Sequence, residues 1–276
     1  MDIDAFIRSK FPAATRIEIS AGDNKVYRLR EESGATSIVK LFPNPSRERR
    51  ERHALEALAR VSGVPKILSR GLDEGMAWIQ MSDGGNWDLS LLPRNVNIIR
   101  TAGRVLRGVH ESKAQVSNLS SLIGNEEIDS HYRNTLTRLE KFRRRLGLPA
   151  EVLERANEAG PPQASPPRPA HTRPTPNQFL VTEEEQVCLI DWEWATMAPP
   201  EWDVSLASWQ FANILGAEAG EAFLEGYGAV VTNTRLKSWI AYHSAMMMLE
   251  AAENRDGKLP AMAPMVRSLA DAVGYS

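Results

Sequence analysis

Cysteine is nearly absent. Cys188 is the single one in 276 residues, which excludes a disulfide framework and leaves no second thiol for redox chemistry or a zinc site. It lies in the apolar run Val187-Cys-Leu-Ile190 and reads as a buried core thiol. An excess of charge of one sign is also lacking. Lys and Arg number 33 against 35 Asp and Glu, a formal net charge of −2, so composition gives no general attraction to nucleic acid or to an anionic membrane. No run approaches the roughly 18 consecutive apolar residues of a membrane span. The opening Met1-Asp-Ile-Asp-Ala-Phe6 has neither the basic segment nor the apolar run of a signal peptide. No internal repeat is found. What remains is a globular protein, expected in the cytoplasm, with 42% hydrophobic residues to build one large domain or two lobes.

The first third alternates with period two. Arg16-Ile-Glu-Ile19, Val26-Tyr-Arg-Leu-Arg30 and Thr36-Ser-Ile-Val-Lys-Leu-Phe42 read as strands, with a polar turn around Gly22 and a second turn ending at Gly34. A helix follows from Pro45, with Ser46 as a suitable N-cap and Ala54, Leu55, Leu58 and Ala59 as its apolar face. Strands around Lys66–Ser69 and Met76–Met81 come next, and Ser82-Asp-Gly-Gly-Asn86 reads as a hinge. Beyond residue 95 the periodicity is helical, over Asn95–Glu111, His131–Leu146, Val204–Ile214, Glu218–Tyr227 and Thr234–Ala252. Seven prolines between 161 and 176 predict a stiff, irregular entry to the segment that follows. Front sheet and helical back together predict an α+β chain of two lobes, divided as 1–82 and 83–276.

That segment carries the chemistry. His171-Thr-Arg-Pro-Thr-Pro-Asn-Gln178 is a turn-rich loop leading into the short apolar strand Phe179-Leu-Val181. A second buried strand, ending Leu189-Ile190, delivers one carboxylate, Asp191, ahead of Trp192-Glu-Trp194. Two oxygen donors on adjacent strands, Gln178 and Asp191, suit a magnesium ion bridging nucleotide phosphates. Lys40 in an apolar strand needs a partner or a path to solvent, because an unpaired ammonium against a core is costly.

The loop resembles that of the aminoglycoside phosphotransferase and choline kinase family, which is related to the protein kinases and carries His-Gly-Asp-x-x-Pro-x-Asn, then Ile-Asp-Trp/Phe-Glu. His171, Pro176, Gln178 and Asp191 fall on the family's His, Pro, metal-binding Asn and second metal ligand. Lys40, Arg50-Glu51, Leu106–His110 and Phe223–Tyr227 fall on further landmarks. The resemblance implies a protein-kinase-like fold, small β-rich N-lobe and larger helical C-lobe. It further implies ATP and Mg2+ as cofactors, with Gly22, Lys40, Glu51 and Met81 at the nucleotide and Glu51 paired to Lys40. His171 and Asp203 would brace the catalytic loop.

Two departures bear on activity. Gln178 is longer than the family's Asn by a methylene and reads either as a metal ligand or as a loop-packing amide. Arg173 occupies the position of the catalytic Asp, and an arginine cannot serve as a base. Arg173 either permits slow transfer, pairs with the γ-phosphate, or points to solvent. The resemblance therefore implies ATP-dependent phosphate transfer to a hydroxyl of a small molecule or peptide, impaired at residue 173. The alternative is a pseudokinase, a nucleotide-binding or scaffold module that serves a protein partner. The basic runs Arg47–Arg52 and Lys141–Arg145 read as solvated helix faces, with Arg143–Arg145 on the side where the family builds its acceptor site; an anionic or neutral acceptor fits better there than a cationic aminoglycoside.

Overall fold

The computed structural model describes residues 3–12, 14–20, 24–92, 95–116, 124–228, 233–253 and 262–275. Helix α1 (Ile3–Lys10) precedes strands β1 (Ala14–Ser20), β2 (Lys25–Glu31) and β3 (Thr36–Phe42), helix α2 (Pro45–Ala57), and strands β4 (Ile67–Asp73) and β5 (Met76–Ser82). The five strands form one antiparallel sheet in the order β1-β2-β3-β5-β4. β3 is central, and every residue from Ser37 to Phe42 is buried. That is why its sequence is an almost unbroken apolar run rather than an alternating one. Lys40 breaks the run, in register with Val26 on one side and Ile79 on the other.

Helix α2 starts at Pro45 as expected, but its N-cap lies two residues before Ser46. Asn44 is the N-cap, its side chain accepting from Ser46 N at 3.0 Å, and Pro45 takes the first turn, where no N–H is needed. The buried stripe is Glu51, Ala54, Leu55 and Leu58, while Ala59 lies beyond the helix and is exposed. A carboxylate thus occupies one position of an apolar face.

The chain then passes through β6 (Trp87–Asp88) into α3 (Val96–Glu111), α4 (Asn125–Leu146) and α5 (Ala150–Ala159). Short strands follow: β7 (Arg168–Ala170), β8 (Phe179–Val181), β9 (Val187–Leu189) and β10 (Thr196–Ala198). Helices α6 (Pro200–Leu215), α7 (Ala217–Tyr227), α8 (Asn233–Glu253) and α9 (Ala263–Ala272) complete it. Helices α1, α5 and α9 were not expected, and α4 begins six residues before His131. The proline-rich entry is not wholly irregular, since β7 pairs with β10. Among the described residues no helix is long and apolar enough to cross a membrane.

One core runs from the inner face of the sheet through α2, α3, β8, β9, α6 and α7. Helices α3 and α7 touch through backbone. A Cβ on Gly103 would lie 2.3 Å from Phe223 O, and one on Gly226 would lie 2.0 Å from Arg100 O. A second core joins α4, α5, α6, α8 and α9 around Tyr132, Trp202, Trp239 and Tyr242.

Candidate active site

Strands β8 and β9 pair antiparallel, Phe179 with Leu189, and β6 adds the third strand of their sheet. Gln178 leads into the first strand and Asp191 leaves the second. Ile190 N donates to Gln178 O at 2.9 Å, so the two side chains named for the metal emerge side by side. Both line a cavity of about 560 Å³ between the five-stranded sheet and this small sheet. Val26, Ile38, Met81, Leu180 and Ile190 supply its apolar walls. Arg28 closes one side, donating to Asp83 at 2.7 and 3.1 Å and to Gly85 O at 2.6 Å, which ties β2 to the stretch after β5. Gly22 lies outside the described residues.

Lys40 is the hub of the opposite side. Its Nζ lies 2.7 Å from Glu51 Oε2, 2.7 Å from Asp191 Oδ1 and 3.9 Å from Glu193 Oε2. Burial alone would depress the Lys40 ammonium, but Glu51 and Asp191 outweigh it and hold its pKa above the ordinary value. Burial raises the Glu51 carboxyl, with Lys40 only partly offsetting it. Asp191 is also penalised by burial, yet Lys40 brings it below the usual carboxylate range, helped by His171 and, weakly, by Arg173. Carboxylate oxygens of Glu51, Asp191 and Glu193 lie within 4.8 Å of one another. Glu193 is the member that sequence reading passed over, although it completes the Ile-Asp-Trp-Glu run. It is buried, accepts from Asn24 Nδ2 at 2.7 Å and faces Arg47 at 3.8 Å.

The loop before Gln178 is braced from below. Asp203, fully buried on α6, accepts from His171 N at 2.7 Å and from Thr172 N at 2.8 Å. Its Oδ2 is also 3.2 Å from His110 Nε2, and His110 Nδ1 is 2.8 Å from Tyr227 Oη. A neutral His110 with its proton on Nε2 satisfies both bonds, donating to the carboxylate and accepting from the tyrosine. His171 Nε2 donates to Ile190 O at 2.7 Å, and Nδ1 receives Arg173 N at 3.3 Å. Burial lowers its pKa, and with both nitrogens engaged it has none free for proton transfer.

Thr172 stands where the family pattern has glycine, and its φ is +72°. A β-branched residue in the left-handed region is strained. Three bonds hold it there: its N to Asp203, its Oγ1 to Trp194 O at 2.9 Å, and Trp202 Nε1 to its carbonyl at 3.0 Å.

Arg173 turns outward. Its side chain is 58% exposed, 3.8 Å from Glu250, with the guanidinium carbon 5.2 Å from the Trp194 ring centre. Arg143 pairs with Glu140 along α4, and Arg145 donates to Ala252 O; neither lines the cavity. Cys188 is half-buried rather than sealed in the core, and burial pushes its thiol up to about 12, with Asp83 adding to the effect.

A model of the phosphotransferase enzyme family matches residues 15–239, a span that contains every element of this cleft. The chain belongs to the phosphotransferase enzyme family. No curated protein matches it in sequence. Solved structures show the same architecture at low identity. A thermostable mutant of aminoglycoside phosphotransferase APH(4)-Ia, in ternary complex with ADP and hygromycin B, has a TM-score of 0.70 at 13% identity, covering 100% of this chain and 99% of that one. The choline kinase LicA from Streptococcus pneumoniae gives 0.64 at 15%, covering 99% and 98%. Spectinomycin phosphotransferase APH(9)-Ia, with ADP and its drug, gives 0.60 at 16%, covering 95% and 91%. This phosphotransferase-family chain therefore has the kinase-like α+β fold of aminoglycoside phosphotransferases and choline kinases.

Proposed function

We propose that the chain binds ATP with magnesium in the cleft, between lobes 1–82 and 83–276 in the cytoplasm, and transfers the γ-phosphoryl group slowly to a hydroxyl. The observation that carries this reading is Lys40 held at 2.7 Å from both Glu51 and Asp191 on the wall of a cavity of nucleotide size. Moving toward Asp191's far side, Lys40 can meet phosphate oxygens while Glu51 still fixes it. Asp191, with Gln178 Oε1, would hold the magnesium ion, which would neutralise phosphate charge. Carboxylate oxygens of Glu51, Asp191 and Glu193 within 4.8 Å of one another suit a dication. The apolar walls around Met81 and Ile38 suit a flat base.

In the transfer, the acceptor's oxygen attacks phosphorus, the bond to the β-phosphate oxygen breaks and ADP leaves, and the hydroxyl proton passes to solvent water. Arg173 takes none, so the step loses the roughly 10²–10⁴-fold that a positioned base contributes. The exposure of Arg173 favours a second reading, a pseudokinase that binds nucleotide and serves a protein partner. Both readings disfavour aminoglycosides, whose ammonium groups would meet Arg173 near Trp194.

Calorimetric ATP titration with and without magnesium, followed by ADP-release kinetics, tests the proposal. Arg173→Asp with Gln178→Asn is expected to raise nucleotide turnover at least tenfold. A double variant that binds Mg-ATP yet turns over no faster would favour the pseudokinase, and wild-type turnover at ordinary kinase rates would overturn the impairment.

A further inference from the structure

Trp194 is 40% exposed at the rim of the cleft, three residues beyond Asp191. Three guanidiniums lie at its ring, from separate parts of the chain; Arg47 of α2, at 5.9 Å, is already turned to Glu193 at 3.8 Å. Arg50, on α2, has its guanidinium carbon 4.9 Å from the ring centre, and Arg173, in the loop after β7, has its own at 5.2 Å. Arg50 is half-buried. Its Nε donates to Glu193 O at 2.8 Å, and among the described residues it makes no ion pair, so its remaining N–H groups stay available. Arg173 meets Glu250 at 3.8 Å, but that carboxylate is 73% exposed. An exposed pair at that separation is weak and readily exchanged. Half-buried guanidinium without a counter-charge is uncommon, and guanidinium is the side chain best shaped to grip an oxyanion with two hydrogen bonds.

We infer that Arg50 and Arg173, set against Trp194, form a subsite for an oxyanion, a carboxylate or phosphate, carried by the acceptor. This rests on the phosphotransfer reading for the word acceptor; the anion site itself stands on the two arginines. Bound there, the anion bridges α2 and the loop of the helical part, beside the metal-binding end of Asp191. A hydroxyl on the same small molecule then faces the cleft. The arginine at 173 thereby gains a role, gripping the acceptor rather than accepting its proton.

The test fills the cleft first, with ADP and magnesium at saturation, so that phosphate sites around Lys40 are occupied. Inorganic phosphate, 3-hydroxybutyrate, glycerol and choline are then titrated into the full chain by ligand-observed NMR. At least one of the two anions should bind tenfold or more tightly than glycerol and choline, and which one identifies the oxyanion. Arg50→Gln should weaken that anion at least tenfold while fluorescent-ADP affinity stays within twofold, and Arg50→Lys should restore part of it. A thermal melt confirms that each variant is folded. Equal binding of glycerol and the anions, or anion binding indifferent to Arg50→Gln, would overturn the subsite. Failure of ADP to bind, with the anion still sensitive to Arg50→Gln, would overturn the nucleotide reading and leave the subsite standing.

Discussion

Lys40 in the cleft and His243 in the helical core are almost equally withdrawn from water, at 7% and 3% exposed, yet one is held charged and the other neutral. The partners decide it. Lys40 faces three carboxylates, which more than repay its desolvation. His243 Nε2 meets only Trp202 O at 3.0 Å and Ser205 Oγ at 3.1 Å, among the rings of Trp202, Trp239 and Tyr242. Burial there pushes its pKa down to about 4 despite the carbonyl and Asp203. The same core pushes Tyr132 up to about 12. Burial at the cleft stores charge for use, whereas burial in the helical core removes it from the account of folding at neutral pH.

Removing the cleft's cation should show the largest effect. Lys40→Met leaves Glu51 and Asp191 without their counter-charge and should cost about 3–5 kcal/mol at pH 7, read from urea unfolding. Because burial already raises Glu51, the deficit should shrink on acidification as that carboxyl takes up a proton. Lys40→Met with Glu51→Leu should recover much of the loss. A Lys40→Met protein as stable as wild type would break the contrast between the two regions.

The helical core gives the opposite pH signature. A histidine with its folded pKa below its ordinary 6.5 disfavours the proton in the folded state. Below pH 6.5 the unfolded chain therefore binds more protons, and stability falls as pH drops toward 4, by about 3 kcal/mol for this group. Buried His171, also lowered, acts in the same direction. His243→Gln should flatten the acid limb relative to wild type in urea midpoints measured between pH 7 and pH 4.5. Parallel profiles would show that His243 does not titrate as its surroundings demand.

The smallest effect sharpens the loop between the two regions. Thr172→Gly and Thr172→Ala both lose the hydroxyl bond to Trp194, but only glycine is at ease at φ +72°. The glycine variant should be the more stable by about 1–2 kcal/mol. Equal stabilities would mean that the loop relaxes out of the left-handed region.

Much of this was legible in the sequence where one residue's surroundings repeat along the chain. The sheet was readable because strands that are half-solvated alternate. The central strand stood out because Lys40 interrupts an otherwise apolar run. Helix α4 was foreshortened because its first two turns, Asn125 to His131, bury only Ile128 and carry no apolar stripe. Helix α9 was missed for a similar reason, with Leu269 its one fully buried side chain. At the site, Gln178 and Asp191 could be placed together by local strand pairing. The meeting of Arg50 with Trp194 could not, since it depends on how α2 settles against a turn 144 positions later. The strained φ of Thr172 left one trace, a threonine where the family pattern has glycine.

The bond between Lys40 and Asp191 also sets how ligands would enter. The ammonium, 2.7 Å from Asp191 Oδ1, is a tethered competitor for the same oxygen that a dication would seek, present at a fixed effective concentration. Phosphate oxygens that draw Lys40 aside vacate that carboxylate, and a metal that claims the carboxylate frees Lys40 for phosphate. Nucleotide and metal would then raise one another's affinity by the same factor, whichever arrives first. The cleft would then behave as a lock with two keys, each of which turns more easily once the other is in place.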